Sequence, residues 1–280
     1  MEIGGRTRIA GVLGVGIDYT LSPLIHNEGY RLLGIDAVYL PFHGKEGYLS
    51  EILSGFCFVE NFMGFNVTVP FKEMAYREMD ICGDEAEAVQ AVNTVKPKQD
   101  KLIGYNTDVV GFRRAVEELG FEGEGKNALV LGAGGAARAA VVALHQLGVD
   151  TIWLANRGKV RREKAVKILK GRVEPLSWDA DTIAGVLPQV SIVVNGTTVG
   201  ADGKGMVPVR LGALPKGAVV YDMVYAGGDT PLVRDAKGLG LTAANGLSML
   251  LHQAVESFEI FVGVKPPLEP IREALFKGES

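Results

Sequence analysis

The chain reads as an α/β protein with a doubly wound parallel sheet in its second half, and three observations predict this. Short apolar runs alternate with helical patterns from one end to the other. One run, Leu129-Val130-Leu131, enters the glycine string Gly132-Ala133-Gly134-Gly135 and then a helical pattern. The runs that follow come in βαβαβ order, which within one sheet requires parallel pairing and right-handed crossovers.

Taken in order, Arg8–Leu13 and Ala37–Leu40 are expected strands with a helix between them. That helix starts at Ser22-Pro23, since serine is a favoured N-cap and proline a favoured first helical residue. Phe65–Val69 is a further strand, stopped by Pro70, which lacks the donor that a ladder needs. Val92–Val95 and Leu102–Tyr105 flank the polar turn Lys98-Gln99-Asp100. Val109, Phe112, Val116 and Leu119 share one helical face, predicting a helix over Asp108–Leu119 with Asp108 as its N-cap. The polar, glycine-rich stretch 120–126 then marks the passage between the halves. Beyond it come strand Ala128–Leu131, helix Ala136–Leu147, strand Thr151–Ala155 and a basic helix to Lys170. Strands are expected near Ser191–Val194 and Val219–Met223, and Leu247, Leu250, Leu251, Ala254, Val255, Phe258 and Val262 form a long amphipathic pattern.

Composition narrows the function classes. The 280 residues are 47% hydrophobic and 22% charged, which supplies a full core and argues against disorder. A net charge of -4 disfavours a dedicated nucleic-acid binder. Two cysteines, Cys57 and Cys82, are too few for a disulfide framework and fit a reducing cytoplasm. The opening residues lack the basic-then-apolar layout of a signal peptide, and no apolar run is long enough to cross a bilayer. His26, His43, His145 and His252 are scattered without zinc spacing, so no metal is expected. The near-P-loop string from Gly120 to Asn127 is rejected. It has Asn127 in place of the hydroxyl residue, two glutamates inside the loop, and a helix before it.

The glycine string has a physical reading as a Rossmann-type nucleotide site. Gly132 permits a sharp turn, Gly134 lets backbone N–H groups approach a pyrophosphate, and Ala137 keeps the helix close to the sheet. The end of the next strand selects the nucleotide. A ribose 2′-hydroxyl is normally read by an acidic residue, but here stand Asn156, Arg157, Gly158, Lys159, Val160 and Arg161. Guanidinium and ammonium groups attract a 2′-phosphate, so NADP is favoured over NAD.

The first half places polar residues where strands end: Thr20-Leu21-Ser22-Pro23, Asn66 to Lys72, Ala91 to Thr94, and Gly104 to Asp108. Hydroxyls, amides, one ammonium and one carboxylate suit a small polyhydroxylated acid. On these blocks, with Gly132–Ala136, Asn156-Arg157, Tyr221 to Tyr225, and Asn245-Gly246-Leu247 leading to Gln253, the chain resembles the shikimate dehydrogenase family over nearly its full length. The resemblance implies reversible NADPH-dependent reduction of 3-dehydroshikimate to shikimate. It implies a substrate and catalytic domain over 1–108, completed by 246–280, an NADP domain over 109–245, and an active-site cleft between them. Lys72 and Asp108 would be catalytic. Thr20 and Ser22 would face the carboxylate, with Thr68, Asn93, Tyr225 and Gln253 around the ring hydroxyls. Gly132, Ala133, Gly134, Gly135, Ala136, Asn156 to Arg161, Met223 and Gly246 would line the NADP site, with Asp84 near it. The partners are small molecules, and the chain acts as a monomer or homodimer without nucleic acid or membrane.

Three positions depart from the family pattern. Thr20 stands for the first serine of its pair, Tyr19 for the preceding histidine, and Gly158 for the threonine after Asn-Arg. The first two keep quinate or aminoshikimate dehydrogenation open as alternatives. A dinucleotide sensor without turnover is the non-enzymatic alternative, against which the joint presence of Lys72 and Asp108 speaks. A glutamyl-tRNA reductase-like activity would need a nucleophilic cysteine, and neither cysteine sits in a block that suggests one.

Overall fold

The computed structural model describes residues 2–225 and 227–277. Met1 and 278–280, which end the segments assigned to the first domain, lie outside the described residues. The chain forms two compact units, one of Met1–Thr107 with Leu250–Ser280 and one of Asp108–Met249.

The first unit is built on a six-stranded mixed sheet. Its elements are β1 (Arg8–Gly14), α1 (Ser22–Leu33), β2 (Ala37–His43), α2 (Leu49–Cys57), β3 (Phe62–Val67) and α3 (Lys72–Glu78). Then come β4 (Ile81–Cys82), α4 (Asp84–Val89), β5 (Thr94–Lys98) and β6 (Lys101–Tyr105). The strand order is β2-β1-β3-β5-β6-β4. β1 pairs in parallel with β2 and β3, whereas β3–β5 and β5–β6 are antiparallel. Side chains alternate across β1. Ala10 and Val12 join Tyr30 of α1 and Phe258 and Phe261 of the C-terminal helix α10 (Leu247–Val262). Leu13 joins Phe65, Val67, Leu49, Leu53 and Phe71 in a separate cluster. Each fully buried side chain of this size contributes roughly 1.5–3 kcal/mol. Helix α11 (Leu268–Lys277) completes the unit, packed on α1.

The second unit begins with α5 (Asp108–Glu117) and continues with β7 (Asn127–Leu131), α6 (Gly135–Gln146), β8 (Thr151–Ala155), α7 (Lys159–Ile168) and β9 (Val173–Leu176). After α8 (Ala180–Ala184) come β10 (Ile192–Asn195), β11 (Val219–Asp222), α9 (Pro231–Gly238) and β12 (Thr242–Ala244). All pairings are parallel, and the order β9-β8-β7-β10-β11-β12 is the Rossmann arrangement, reversing direction between β7 and β10. Ligands of such sheets bind at the carboxyl ends of the strands beside that reversal.

Four local expectations need correction. Asp108, expected as the N-cap of α5, is instead its first helical residue. Ser22 is not an N-cap: Leu21 holds that position without a side-chain bond, and the Ser22 hydroxyl is instead the acceptor of Thr20 Oγ1 at 3.3 Å. The strand expected over Phe65–Val69 runs from Phe62 to Val67, because the chain turns at Thr68, whose carbonyl accepts from the Phe71 N–H at 2.8 Å. The strand expected over Val92–Val95 starts at Thr94, since the Val92 N–H is taken by the Lys72 carbonyl at 2.9 Å. Its hairpin closes through Gln99 and Asp100, both at positive φ (51° and 59°), as a two-residue turn between twisted strands requires. Among the described residues no helix is long and apolar enough to cross a membrane.

His26 on α1 is wholly buried and stacks on Tyr39, with ring centroids 4.0 Å apart and planes 7° from parallel. Burial lowers its pKa from 6.5 to about 3, so the folded protein holds it neutral. The unfolded chain binds a proton below about pH 6.5, which the native state refuses, and stability therefore falls as pH drops from 6.5 toward 3. The expected slope from this residue approaches about 1.4 kcal/mol per pH unit. Urea unfolding between pH 6.5 and 4.5 should show a shallower decline for His26→Gln than for the wild type. An unchanged slope would remove His26 from the acid sensitivity.

Candidate active site

In the first unit, register brings three strand ends to one edge. Asn66 is opposite Thr94, and Thr94 is opposite Tyr105, so Asn93, one residue outward, lies between the chain leaving β3 at Val67-Thr68 and the chain leaving β6 at Asn106-Thr107. Asn93 is the junction. Its N–H donates to the Tyr105 carbonyl (3.0 Å) and its carbonyl accepts from the Val67 N–H (2.7 Å). Its side-chain Oδ1 accepts from the Thr107 N–H (2.8 Å) and Thr94 Oγ1 (3.0 Å). Its Nδ2 donates to Thr107 Oγ1 (2.9 Å) and to Gln253 Oε1 on α10 (3.4 Å).

A second layer supports this junction. Buried Asn66 donates to Thr94 Oγ1 (3.0 Å) and the Asn93 carbonyl (3.3 Å), and accepts from the Tyr39 hydroxyl (2.7 Å) and Ser257 Oγ (3.4 Å). Asn66 heads one of the polar blocks of the sequence, whereas Tyr39 and Ser257 stand in none. The one available signal was a lone amide on a fully buried strand, two residues before Thr68. Polar groups this far from water keep their geometry only when their bonds are satisfied, and here they are rigid supports for the edge.

The other expected substrate residues are divided between the two units. Thr20 and Ser22 follow β1 and are hydrogen bonded to each other. The Thr68 N–H extends the β1 ladder by donating to the Leu13 carbonyl (2.9 Å), and Lys72 opens α3 one turn later, half-buried. Thus six of the eight expected substrate residues belong to the first unit. Asp108 and Tyr225 belong to the second. Asp108 is buried at the start of α5, where the helix dipole favours a carboxylate. Asp84, expected near the nucleotide, opens α4 of the first unit and is exposed.

The second unit carries the glycine turn. Gly132 has φ 108°, a conformation disfavoured for side-chain-bearing residues, and a Cβ there would stand 2.9 Å from the Gly196 carbonyl oxygen. Gly134 precedes α6 without any side-chain cap, so the first-turn N–H groups point past a residue with no side chain. Ala137 is fully buried against Gly196, where a Cβ would fall 2.8 Å from the alanine methyl. Close helix–sheet packing therefore needs smallness on both sides. Gly196 was not anticipated, because its contact lies 59 positions from Ala137 in the chain.

At the end of β8, Asn156 Nδ2 donates to the Gly158 carbonyl (3.0 Å), shaping the turn into α7. Arg157, Gly158, Lys159, Val160 and Arg161 are all exposed. A Cβ added to Gly134 would lie 3.5 Å from Arg161 Nη2, which puts this guanidinium beside the glycine turn. Lys159 forms an exposed pair with Glu163 (3.8 Å). Met223 follows β11, and Gly246 lies against its backbone, where any Cβ would collide with the Met223 carbonyl. The glycine cradle, uncapped helix start and adjacent cations fit a phosphate-bearing dinucleotide.

Comparison with known proteins shows the family. Residues 12–95 match the shikimate dehydrogenase substrate binding domain, and residues 246–276 match the shikimate 5′-dehydrogenase C-terminal domain. The shikimate dehydrogenase (NADP(+)) of Geobacter sp. (strain M21) is 41% identical, covering 98% of this chain and 97% of its own. Shikimate 5-dehydrogenase from Listeria monocytogenes, solved in complex with shikimate and NAD, aligns with a TM-score of 0.88 at 32% identity and covers 99% of both chains. Shikimate 5-dehydrogenase from Thermus thermophilus, in complex with NADP(H) and shikimate, aligns with a TM-score of 0.85 at 30% identity, covering 97% of this chain and 99% of its own. The chain belongs to the shikimate dehydrogenase family.

Proposed function

We propose that this protein is an NADP-dependent oxidoreductase that reversibly reduces 3-dehydroshikimate to shikimate, on the route to chorismate and the aromatic amino acids. The observation that carries the reading is the preorganised amide and hydroxyl edge of Asn93, Thr107 and Gln253, on a chain whose other unit bears a dinucleotide cradle. In this reading residues 1–108 with 246–280 form the substrate domain and 109–245 the NADP domain. The protein works in the cytoplasm as a monomer or homodimer; its two cysteines, both free, suit that compartment.

When bound, NADPH supplies a hydride to the ketone carbon, and the protein's own task is to orient the ketone and deliver one proton. Lys72, protonated, stabilises the charge that grows on the ketone oxygen and donates the proton to it. Asp108 orients the lysine and the emerging hydroxyl. Thr20 and Ser22 hold the substrate carboxylate, while Thr68, Asn93, Tyr225 and Gln253 meet the ring hydroxyls. Gly132 to Ala136, Met223 and Gly246 hold the dinucleotide, with Asp84 at its margin. Asn156, Arg157, Gly158, Lys159, Val160 and Arg161 surround the 2′-phosphate. The support for NADP is chemical: the β8 end offers cations where an NAD site offers a carboxylate.

Three measurements decide among the readings. Lys72→Ala should lower kcat by about 10²–10⁴, the range typical of general acid catalysis, and near-normal turnover would remove the lysine from that role. Arg157→Ala should raise KM for NADPH about tenfold while leaving KM for NADH unchanged, and equal effects on both cofactors would defeat the 2′-phosphate assignment. The Thr20 methyl group favours one further comparison, a panel of shikimate, quinate and aminoshikimate. Shikimate should give the highest kcat/KM, and preference for quinate would reassign the substrate.

A further inference from the structure

One buried carboxylate joins the turns at the carboxyl edge of the second sheet, and the mechanism above gives it no part. Asp222, the last residue of β11, is 1% exposed. Its Oδ1 accepts from Asn195 Nδ2 (2.9 Å) and from the Val224 N–H (3.1 Å), and its Oδ2 accepts from Thr230 Oγ1 (2.6 Å). Burial pushes its carboxyl above the usual carboxylate range, and the bonds from Thr230, Val224 and Asn195 oppose that rise.

Each partner governs a different part of the edge. Asn195 folds the turn after β10. Its Nδ2 also donates to the Val199 carbonyl (3.0 Å), and its Oδ1 accepts from the Thr197 N–H (3.1 Å) and Thr197 Oγ1 (2.7 Å). That turn abuts the glycine turn, since a Cβ on Gly132 would sit 2.9 Å from the Gly196 oxygen and 3.1 Å from Thr197 Cγ2. Val224 lies in the turn after β11, and its carbonyl accepts from the Gly246 N–H (3.0 Å) at the turn after β12. Thr230 caps α9, with Oγ1 accepting from the Val233 N–H (3.3 Å). Three donors converge on Asp222. A carboxylate, which accepts at both oxygens and donates at neither, satisfies all three together.

We infer that Asp222 is a positioning residue for the cofactor, holding the β10 and β11 turns so that the Gly132 turn, Met223 and Gly246 present one continuous edge to the dinucleotide. The inference rests on the reading of the second unit as the NADP site. Asp222 acts through Asn195 and Val224.

The test combines NADPH binding, followed by nicotinamide fluorescence, with steady-state kinetics on the full chain. Asn195→Asp sets one carboxylate against another and should raise the NADPH Kd about tenfold or more. Under saturating cofactor, kcat and KM for shikimate should stay within about twofold of wild type. Asp222→Asn, whose NH2 group must face one of the three donors, should raise the Kd at least as much. Thr230→Val, which removes one donor without touching the pair, should raise the Kd several-fold. An unchanged Kd in Asn195→Asp and Thr230→Val overturns the inference, as does a loss of kcat, of both KM values and of Tm in these two variants with no selective effect on the NADPH Kd. If Asp222→Asn does not fold, Asn195→Asp and Thr230→Val decide the matter by the same Kd criterion. Wild-type protein that binds neither NADPH nor NADH would instead overturn the cofactor reading itself, and the inference with it.

Discussion

Parallel strands must all finish at the same edge of their sheet, and this constraint decides where polar side chains are useful in both units. In the second unit it gathers Gly132, Asn156, Gly196, Met223 and Gly246 from five different strand ends. In the first unit β1 and β3 obey the same rule, and the reversed β5 brings its beginning, not its end, to that edge. Asn93 and Thr68 become neighbours for that reason, although 25 positions separate them. The chemistry then follows from what each strand carries just past its last ladder bond.

Burial sets the second condition. Asn66, Asn93, Thr94, Asn195 and Asp222 are all nearly inaccessible to water, and each unmet bond in such a place costs roughly 1–3 kcal/mol. Their hydrogen bonds therefore specify geometry more than they add stability. An apolar core tolerates small slips, whereas a shared amide between three strand ends does not. The polar interiors of both units lie next to the edges where orientation matters most.

The parts legible in the sequence were those fixed by local chemistry. The string from Leu129 to Ala137 announces strand, turn and helix within nine residues, and Asn156-Arg157 at the next strand end carries its charge openly. Thr151–Ala155 and the long pattern of α10 were equally clear because their periods run uninterrupted. Other features were hidden. β9 contains Pro175 and β12 is three residues long, which edge strands tolerate and central ones do not. Helices α2, α3 and α4 span nine, seven and six residues, too short for a helical period to declare itself. Ser22 looked like a cap because its neighbour is proline, yet its hydroxyl prefers Thr20. The partners of Gly196, Asn66 and Asp222 lie far along the chain, which no local pattern records.

The saturation of Asn93 has a thermodynamic consequence. Both of its amide hydrogens and its side-chain oxygen already have partners inside the protein, among them the 3.4 Å contact with Gln253. On the proposed substrate reading, a ring hydroxyl arriving there exchanges places with an internal bond instead of filling an empty one. Swaps of this kind release little net free energy, so on that reading discrimination comes from the penalty a mismatched molecule leaves behind when it opens the Asn93–Gln253 contact and offers nothing in return.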